Sequence, residues 1–477
     1  MENLILLIDH FFGWLNGVVG SVLLFNVLYF TEKYNLPLTV LWLIVGATYF
    51  TFRLRFINFR GFGHAVKILR GVYDTEGGAG EVTHFQALCA ALSATVGLGN
   101  IAGVAIAIAT GGPGATVWMI VAGFLGMSSK YAECTLAVMY RTIRPNGAYM
   151  GGAMEYLSKG LSGLGFKKTG QILATVFCVL CIGNSFGGGN AFQSNQSFYA
   201  VKENFPIFEN HSALYGLLIA AAVAIVILGG LKRIATTAEK LVPVMCALYI
   251  GACVFIISSN FTAIPNAFAL IFREAFSWNS VYGGFLGSLV IGFRRATFSN
   301  EAGIGSAPIA HAVAKTDIPV QEGFVSLLEP FIDTVVICTM TSLVMVITGA
   351  YNDPTFIDLV SSNQGAALTS RAFQGEVWWF SYILCASVVL FAYSTMISWS
   401  YYGERCWTYL FGEKYVMIYK VLFIIFSFLG AISKPSHILE FSDLMVLGMA
   451  FINIIGLYLL FPQVSRATKA YEKVYLR

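Results

Sequence analysis

Eleven runs of mostly apolar residues divide this chain, at about 36–54, 85–110, 114–139, 170–198, 213–230, 240–259, 281–311, 322–350, 376–401, 416–433 and 440–462. An α-helix needs roughly 20 such residues to cross a bilayer, and the stretches between these runs are short. Only 11% of the 477 residues are charged, against 57% hydrophobic, whereas soluble domains carry roughly 25% charged residues. In water such a chain would expose large apolar patches and aggregate. Lipid is the solvent that fits, and the fold class expected is an all-α integral membrane protein of about eleven spans.

The net charge of +4 is spread through many short loops, which is not the clustered footprint of a nucleic-acid binder. The nine cysteines are an odd number and nearly all fall in apolar segments, so no disulfide framework is expected. Cys178 and Cys181 form a C-x-x-C pair inside a run of Val, Leu and Ile; that setting favours core packing over redox or metal chemistry. The N-terminus lacks the basic flank and cleavage site of a signal peptide. Over residues 1–35, Leu4, Ile8, Phe11, Phe12, Leu15, Val18 and Val19 recur at helical spacing opposite Asp9, His10 and Asn16. This is the pattern of an amphipathic helix lying on the membrane surface. Val18 to Phe30 is short for a span, so it is read as interfacial or re-entrant, with a twelfth span as the alternative.

Lys and Arg placement gives the orientation. Alternate loops collect twenty basic residues, beginning with Arg53, Arg55, Arg60, Lys67 and Arg70 and ending with the 463–477 tail, while the opposite loops hold five. The richer set, including the C-terminus, is expected in the cytoplasm. Setting aside 36–56 as an extra N-terminal helix leaves ten spans, five in 85–259 and five in 281–462. Because five is odd, the second set must be inserted upside down, which is the inverted-repeat layout of many secondary transporters.

The first helix of each half is interrupted at matching places. Gly97-Leu98-Gly99-Asn100 in the first half is echoed by Gly303-Ile304-Gly305-Ser306 in the second. Unwinding a helix frees backbone N–H and C=O groups that cost several kcal/mol each in hydrocarbon unless something binds them. Half-helix N-termini suit a carboxylate, and freed carbonyls suit Na⁺ or an ammonium, so a zwitterion with a cation would satisfy both. Close packing through small residues is the competing explanation, but the pairing at equivalent places favours a binding site. Asn184, Asn190, Gln193, Asn195 and Gln196 in the third core helix read as a cavity-lining face, and Ser394, Thr395 and Ser398 beside Trp399 offer hydroxyl oxygens for a cation. Arg294 and Arg295 approach the second break with Glu301 following, and a gating or structural ion pair is expected of them rather than direct substrate contact. Lys130 and Glu133 are expected to snorkel or pair near a cytoplasmic helix end, and His84 and His311 are dispersed with no metal-ligand pattern.

Several stretches resemble the alanine or glycine:cation symporter family: Gly111-Gly112-Pro113-Gly114-Ala115-Thr116-Val117-Trp118-Met119, Gly126-Met127-Ser128-Ser129-Lys130-Tyr131-Ala132-Glu133, and Phe298-Ser299-Asn300-Glu301-Ala302-Gly303 continuing to His311. The likeness runs from about Arg53 to Gly412. It implies a LeuT-like 5+5 inverted repeat with one extra N-terminal helix, and import of a small neutral amino acid with Na⁺ as the co-transported ion. It further implies substrate contacts from Gly97, Leu98, Gly99, Asn100, Gln193, Tyr199, Phe298, Asn300, Gly303 and Trp399, and a cation shell from Ser93, Val96, Ser394 and Thr395. Leu98 stands where many relatives carry Thr or Ser, so a hydroxyl near the carboxylate is missing. Alternatives are an H⁺-coupled or uncoupled facilitator, or a transporter for another small zwitterion. A membrane enzyme would need a nucleophile with a base or a metal cluster, and neither pattern is present. A transport-like sensor would carry an appended signalling domain, and none is read here. The location expected is the plasma membrane of a bacterium, the cytoplasmic (inner) membrane.

Overall fold

The computed structural model describes residues 36–73, 78–144, 147–278, 284–433 and 435–475, with 17, 20, 21 and 23–28. The amphipathic pattern of residues 1–35 lies mostly outside them. Each of the eleven apolar runs contains helix. In chain order these are α1 (Leu38–Arg53), α2 (His84–Thr95), α3 (Val104–Gly111), α4 (Ala115–Met139), α5 (Lys167–Asn204), α6 (Ser212–Ile227), α7 (Gly230–Ser259), α8 (Gly284–Asn300), α9 (Ala307–His311), α10 (Pro319–Thr348), α11 (Phe380–Phe411), α12 (Val416–Ile432) and α13 (Pro435–Tyr475). Six of the described helices are long and apolar enough to cross a membrane, and α2 with its continuation makes a seventh, bent by 49°.

The molecule exposes many large apolar side chains and buries charged and amide groups within an otherwise apolar core. Leu217, Leu218, Ile225, Val244 and Phe255 are exposed, whereas Asn100, Lys130, Glu133, Asn190, Glu329 and Asp333 are fully buried. That distribution follows from a solvent that rewards exposed hydrocarbon and penalises polar atoms.

Local chemistry sets where the helices start and break. Thr83 caps α2 through a reciprocal pairing with Gln86, which satisfies two orphan N–H groups at once. The first half-helix stops where Val96 leaves helical geometry (ψ 86°) and resumes through a π turn over Gly99–Gly103. The second stops because Glu301, Gly303 and Gly305 all take positive φ (56°, 81° and 86°), and α9 restarts with Pro308 in its first turn. Further π turns interrupt α5 at Gly187–Ala191 and α10 at Phe331–Cys338. Such turns concentrate at functional positions, and these four irregularities converge: α2 packs on α7 and α11, α4 on α8 and α10, and α5 on α11.

Candidate functional site

At the first break the freed donors are met by side-chain amides. Asn100 Oδ1 accepts from the Gly97 N–H at 2.8 Å, and Gln193 Oε1 accepts from the Leu98 N–H at 3.1 Å. Gln193 Nε2 donates in turn to the Gly188 carbonyl at 2.9 Å, which the π turn of α5 exposes to it. Two glycines make the crossing with the other half. A Cβ on Gly97 would stand 2.4 Å from Thr395 Oγ1, and one on Gly99 would meet Ser299 Cα at 3.3 Å and the Phe298 ring at 3.4 Å.

Around this crossing lies a tight cavity lined by Thr95, Gly99, Gln193, Phe298, Thr395 and Trp399, with Asn184 and Glu301. Its open space is about that of one water molecule. The Trp399 ring lies against Gly189, where a Cβ would come within 2.3 Å of it. Trp399 Nε1 donates to Glu301 Oε1 at 2.9 Å. The cavity therefore combines two aromatic walls, an amide, backbone donors at the break, and one carboxylate. Backbone N–H groups suit an anionic end, and the Glu301 carboxylate is a counter-charge for a cationic one.

Beside it sits an oxygen-rich seam between α2 and α11. Ser93 Oγ donates to the Ser394 carbonyl at 2.8 Å, and Ser394 Oγ donates to the Phe391 carbonyl at 3.0 Å. Thr395 Oγ1 is buried with no hydrogen-bond partner among the described residues. Val96, at the broken end of α2, adds the negative pole of a half-helix. Neutral oxygens at a helix C-terminus fit a hard monovalent cation. No group of three or more His, Cys, Asp or Glu able to hold a metal ion occurs among the described residues.

Six of the expected substrate residues lie outside the cavity lining: Gly97 and Leu98, whose N–H groups are taken by Asn100 and Gln193, and Tyr199, Asn100, Asn300 and Gly303. Tyr199 is half-buried against Phe198. Asn100 turns its amide nitrogen to Asp333 and Cys338. Asn300 donates to Thr334 Oγ1 at 2.9 Å and accepts from the Ala302 N–H at 2.9 Å. The Gly303 N–H faces Glu133, and its carbonyl accepts from Asn453 at 2.9 Å.

The charged residues take partners that the sequence reading does not name. Arg294 and Arg295 both pair with Asp443 on α13, not with Glu301; Glu301 is held by Trp399 and Ser306 and faces the cavity. Of the two expectations for Lys130, pairing is the one realised: it is fully buried and pairs with Glu329 at 3.0 Å. Glu133 accepts from the Gly305 N–H at 3.1 Å and from Asn453 Nδ2 at 2.8 Å, closing the second break. His84 and His311, far apart in sequence, are joined through Glu322. The signal that finds these groups is an acidic residue inside an apolar run, because a charge at bilayer depth must have a partner or a role. Glu322, Glu329, Asp333 and Asp443 all qualify.

Comparisons with known proteins bear on this arrangement. A sequence model described as the sodium:alanine symporter family matches residues 23–476. The sodium/alanine symporter AgcS of Methanococcus maripaludis is 40% identical over 92% of this chain and 95% of its own. The probable sodium/glutamine symporter GlnT of Bacillus subtilis is 35% identical over 98% of this chain and 91% of its own. The crystal structure of MhsT in complex with L-phenylalanine superposes with a TM-score of 0.60 at 14% identity, covering 80% of this chain and 90% of that one. That likeness is one of fold: an all-helical, LeuT-like membrane protein.

Proposed function

This chain belongs to the sodium:alanine symporter family, and from that premise we propose that it imports a small neutral amino acid, alanine or glycine, together with Na⁺. It is a transporter and not an enzyme. The observation that carries the reading is the first break itself: the Leu98 N–H is met by the Gln193 side chain, and Gly99 opens onto the cavity between the aromatic walls Phe298 and Trp399. The substrate carboxylate takes these donors, displacing or sharing the Gln193 oxygen, and its ammonium points to Glu301 and the carbonyls of the broken helix. Asn100, Asn300 and Gly303 shape the two breaks from behind, and Tyr199 stands further along α5. The closeness of the walls supports a short side chain.

The Na⁺ site in this reading comprises Ser93, Val96, Ser394 and Thr395. Ion binding ties α2 to α11 and orders the first break; the substrate then completes the site and allows the two five-helix repeats, 85–259 and 281–462, to rock. The fourfold excess of basic residues on one set of loops supports a cytoplasmic-membrane protein with its C-terminus and the Arg53–Arg70 loop in the cytoplasm.

The test is uptake of labelled alanine, glycine and glutamine into proteoliposomes with and without an inward Na⁺ gradient. Alanine or glycine accumulating above equilibrium only with the gradient is expected. Accumulation of glutamine alone overturns the substrate, and equilibration that ignores Na⁺ overturns the coupling.

A further inference from the structure

A second polar assembly lies outside the cavity, and none of its members enters the substrate or Na⁺ sites. His84 Nδ1 meets one oxygen of Glu322, and the other oxygen of Glu322 meets His311 Nδ1. His311 Nε2 meets Glu329, whose second oxygen lies 3.0 Å from Lys130 Nζ. Glu322, His311, Glu329 and Lys130 are all fully buried.

The donor count of His311 is decisive. A neutral imidazole has one N–H and one bare nitrogen, and an ionised carboxylate can only accept. His311 faces a carboxyl oxygen at both nitrogens. If both glutamates were ionised and the ring neutral, a bare nitrogen would face a bare oxygen at a fully buried position, which is strongly unfavourable. One further proton is therefore required on Glu322, His311 or Glu329. With it, the charge balances: the proton offsets one carboxylate, and the Lys130 ammonium offsets the other.

We propose that Glu322, His311 and Glu329 form a proton-binding site whose occupancy changes during the transport cycle, so that transport is linked to pH in addition to Na⁺. This rests on the transport reading above. The proton can pass with the same atoms in contact: Nδ1–H breaks as O–H forms on Glu322, while Glu329 O–H gives its proton to Nε2, leaving Glu322 the acid and Glu329 the carboxylate. His84, at the start of α2, is the end of the string nearest the cytoplasmic loops in the proposed orientation. Lys130, beside Glu133 and Glu301, is the end nearest the second break and the cavity. His311 belongs to α9, Glu322 and Glu329 to α10, Lys130 to α4 and His84 to α2. Loss of the proton loosens four elements together, the two broken helices among them.

Other titratable groups face this site. From α4 come Glu133 and Cys134, and from α11 comes Tyr402. Arg141, with Asp317 near it, approaches Glu322 from the loop side. Arg141 donates to the carbonyls of Ala312 and Ala314, so its charge stays close to α9.

Two measurements test the proposal. Infrared titration of the purified full-length protein without amino acid, from acid to alkaline pH, is expected to show a coupled carboxyl and imidazole transition that is lost in both H311Q and E329Q. Absence of the transition, or its persistence unchanged in both variants, overturns the site whatever the transported solute is. In proteoliposomes with a fixed Na⁺ gradient and clamped voltage, an added pH gradient (inside alkaline) is expected to change alanine uptake several-fold in the parent chain. H311Q is expected to keep its Na⁺ dependence and lose that response. A parent chain indifferent to the pH gradient overturns the link to transport. Failure of any amino acid to accumulate with Na⁺ instead counts against the function proposed above, and the infrared result still decides the proton site.

Discussion

The two broken helices are built on one plan and closed by opposite chemistry. At the first break the freed N–H groups of Gly97 and Leu98 go to neutral amides, Asn100 and Gln193. At the second, the N–H groups of Gly303 and Gly305 go to a carboxylate, Glu133, which Asn453 also supports. A hydrogen bond to a charged acceptor is roughly twice as strong as one between neutral groups. The second break is thus a fixed joint, and the first is one whose donors a ligand can claim. The neighbours agree with this division: cavity and orphan hydroxyl sit at the first break, and buried ion pairs surround the second.

The largest expected effect comes from breaking the fixed joint. Glu133→Leu strips the acceptor from two backbone N–H groups and from Asn453, each costing about 1–3 kcal/mol when left buried and unpaired. The expected outcome is loss of folded protein, read as aggregation on size-exclusion chromatography and a melting temperature too low to measure. Glu133→Gln keeps one acceptor oxygen and is expected to fold with reduced stability. If Glu133→Leu purified and melted like the parent chain, the second break would not be a joint held by this residue. Next in size is Gly99→Val, which drives methyl groups into the Phe298 ring and the Ser299 backbone already 3.3–3.4 Å from a Cβ. A crowding cost of about 1–3 kcal/mol that bears on the ligand-bound geometry corresponds to a roughly five- to 150-fold loss of amino-acid binding, with membrane insertion retained. Isothermal titration with the preferred amino acid measures it; unaltered affinity would move the substrate away from this break.

The contrast between the joints was half visible in the sequence. The glycine echo marks both breaks because only glycine accepts the close approach at Gly97 and the positive φ at Gly303 and Gly305. The apolar runs mark the helices because hydrocarbon demands them. Closure of the second break is invisible, since Glu133 and Gly303 are 170 positions apart and meet only once α4 packs on the second half. His84 and Glu322, 238 positions apart, are equally remote. Reading each ionisable residue against its own helix left Lys130 to snorkel or pair and set Arg294 beside Glu301, without naming a partner for either. The true partners, Glu329 and Asp443, belong to helices far along the chain. Helical period reports which face a residue occupies, and says nothing of what lies opposite.

The smallest expected effect separates the ion from the substrate at the adaptable joint. Among the proposed side-chain cation ligands, Thr395 Oγ1 is the one that is buried with no hydrogen-bond partner among the described residues; the Ser93 and Ser394 hydroxyls already donate across or along the helices. Thr395→Ala removes that oxygen and relieves nothing else, because its absence only opens space beside Gly97. Losing one neutral ligand at about 0.5–1.5 kcal/mol raises the Na⁺ concentration for half-maximal uptake roughly two- to tenfold. Amino-acid affinity at saturating Na⁺ should hold, since the carboxylate donors at Leu98 and Gly99 are untouched. Thr395→Ser restores the hydroxyl and should restore the Na⁺ dependence, which a packing effect of the lost methyl would not do. Equal Na⁺ requirement in the parent and Thr395→Ala places the ion elsewhere, and the first break would then be adaptable for the substrate alone.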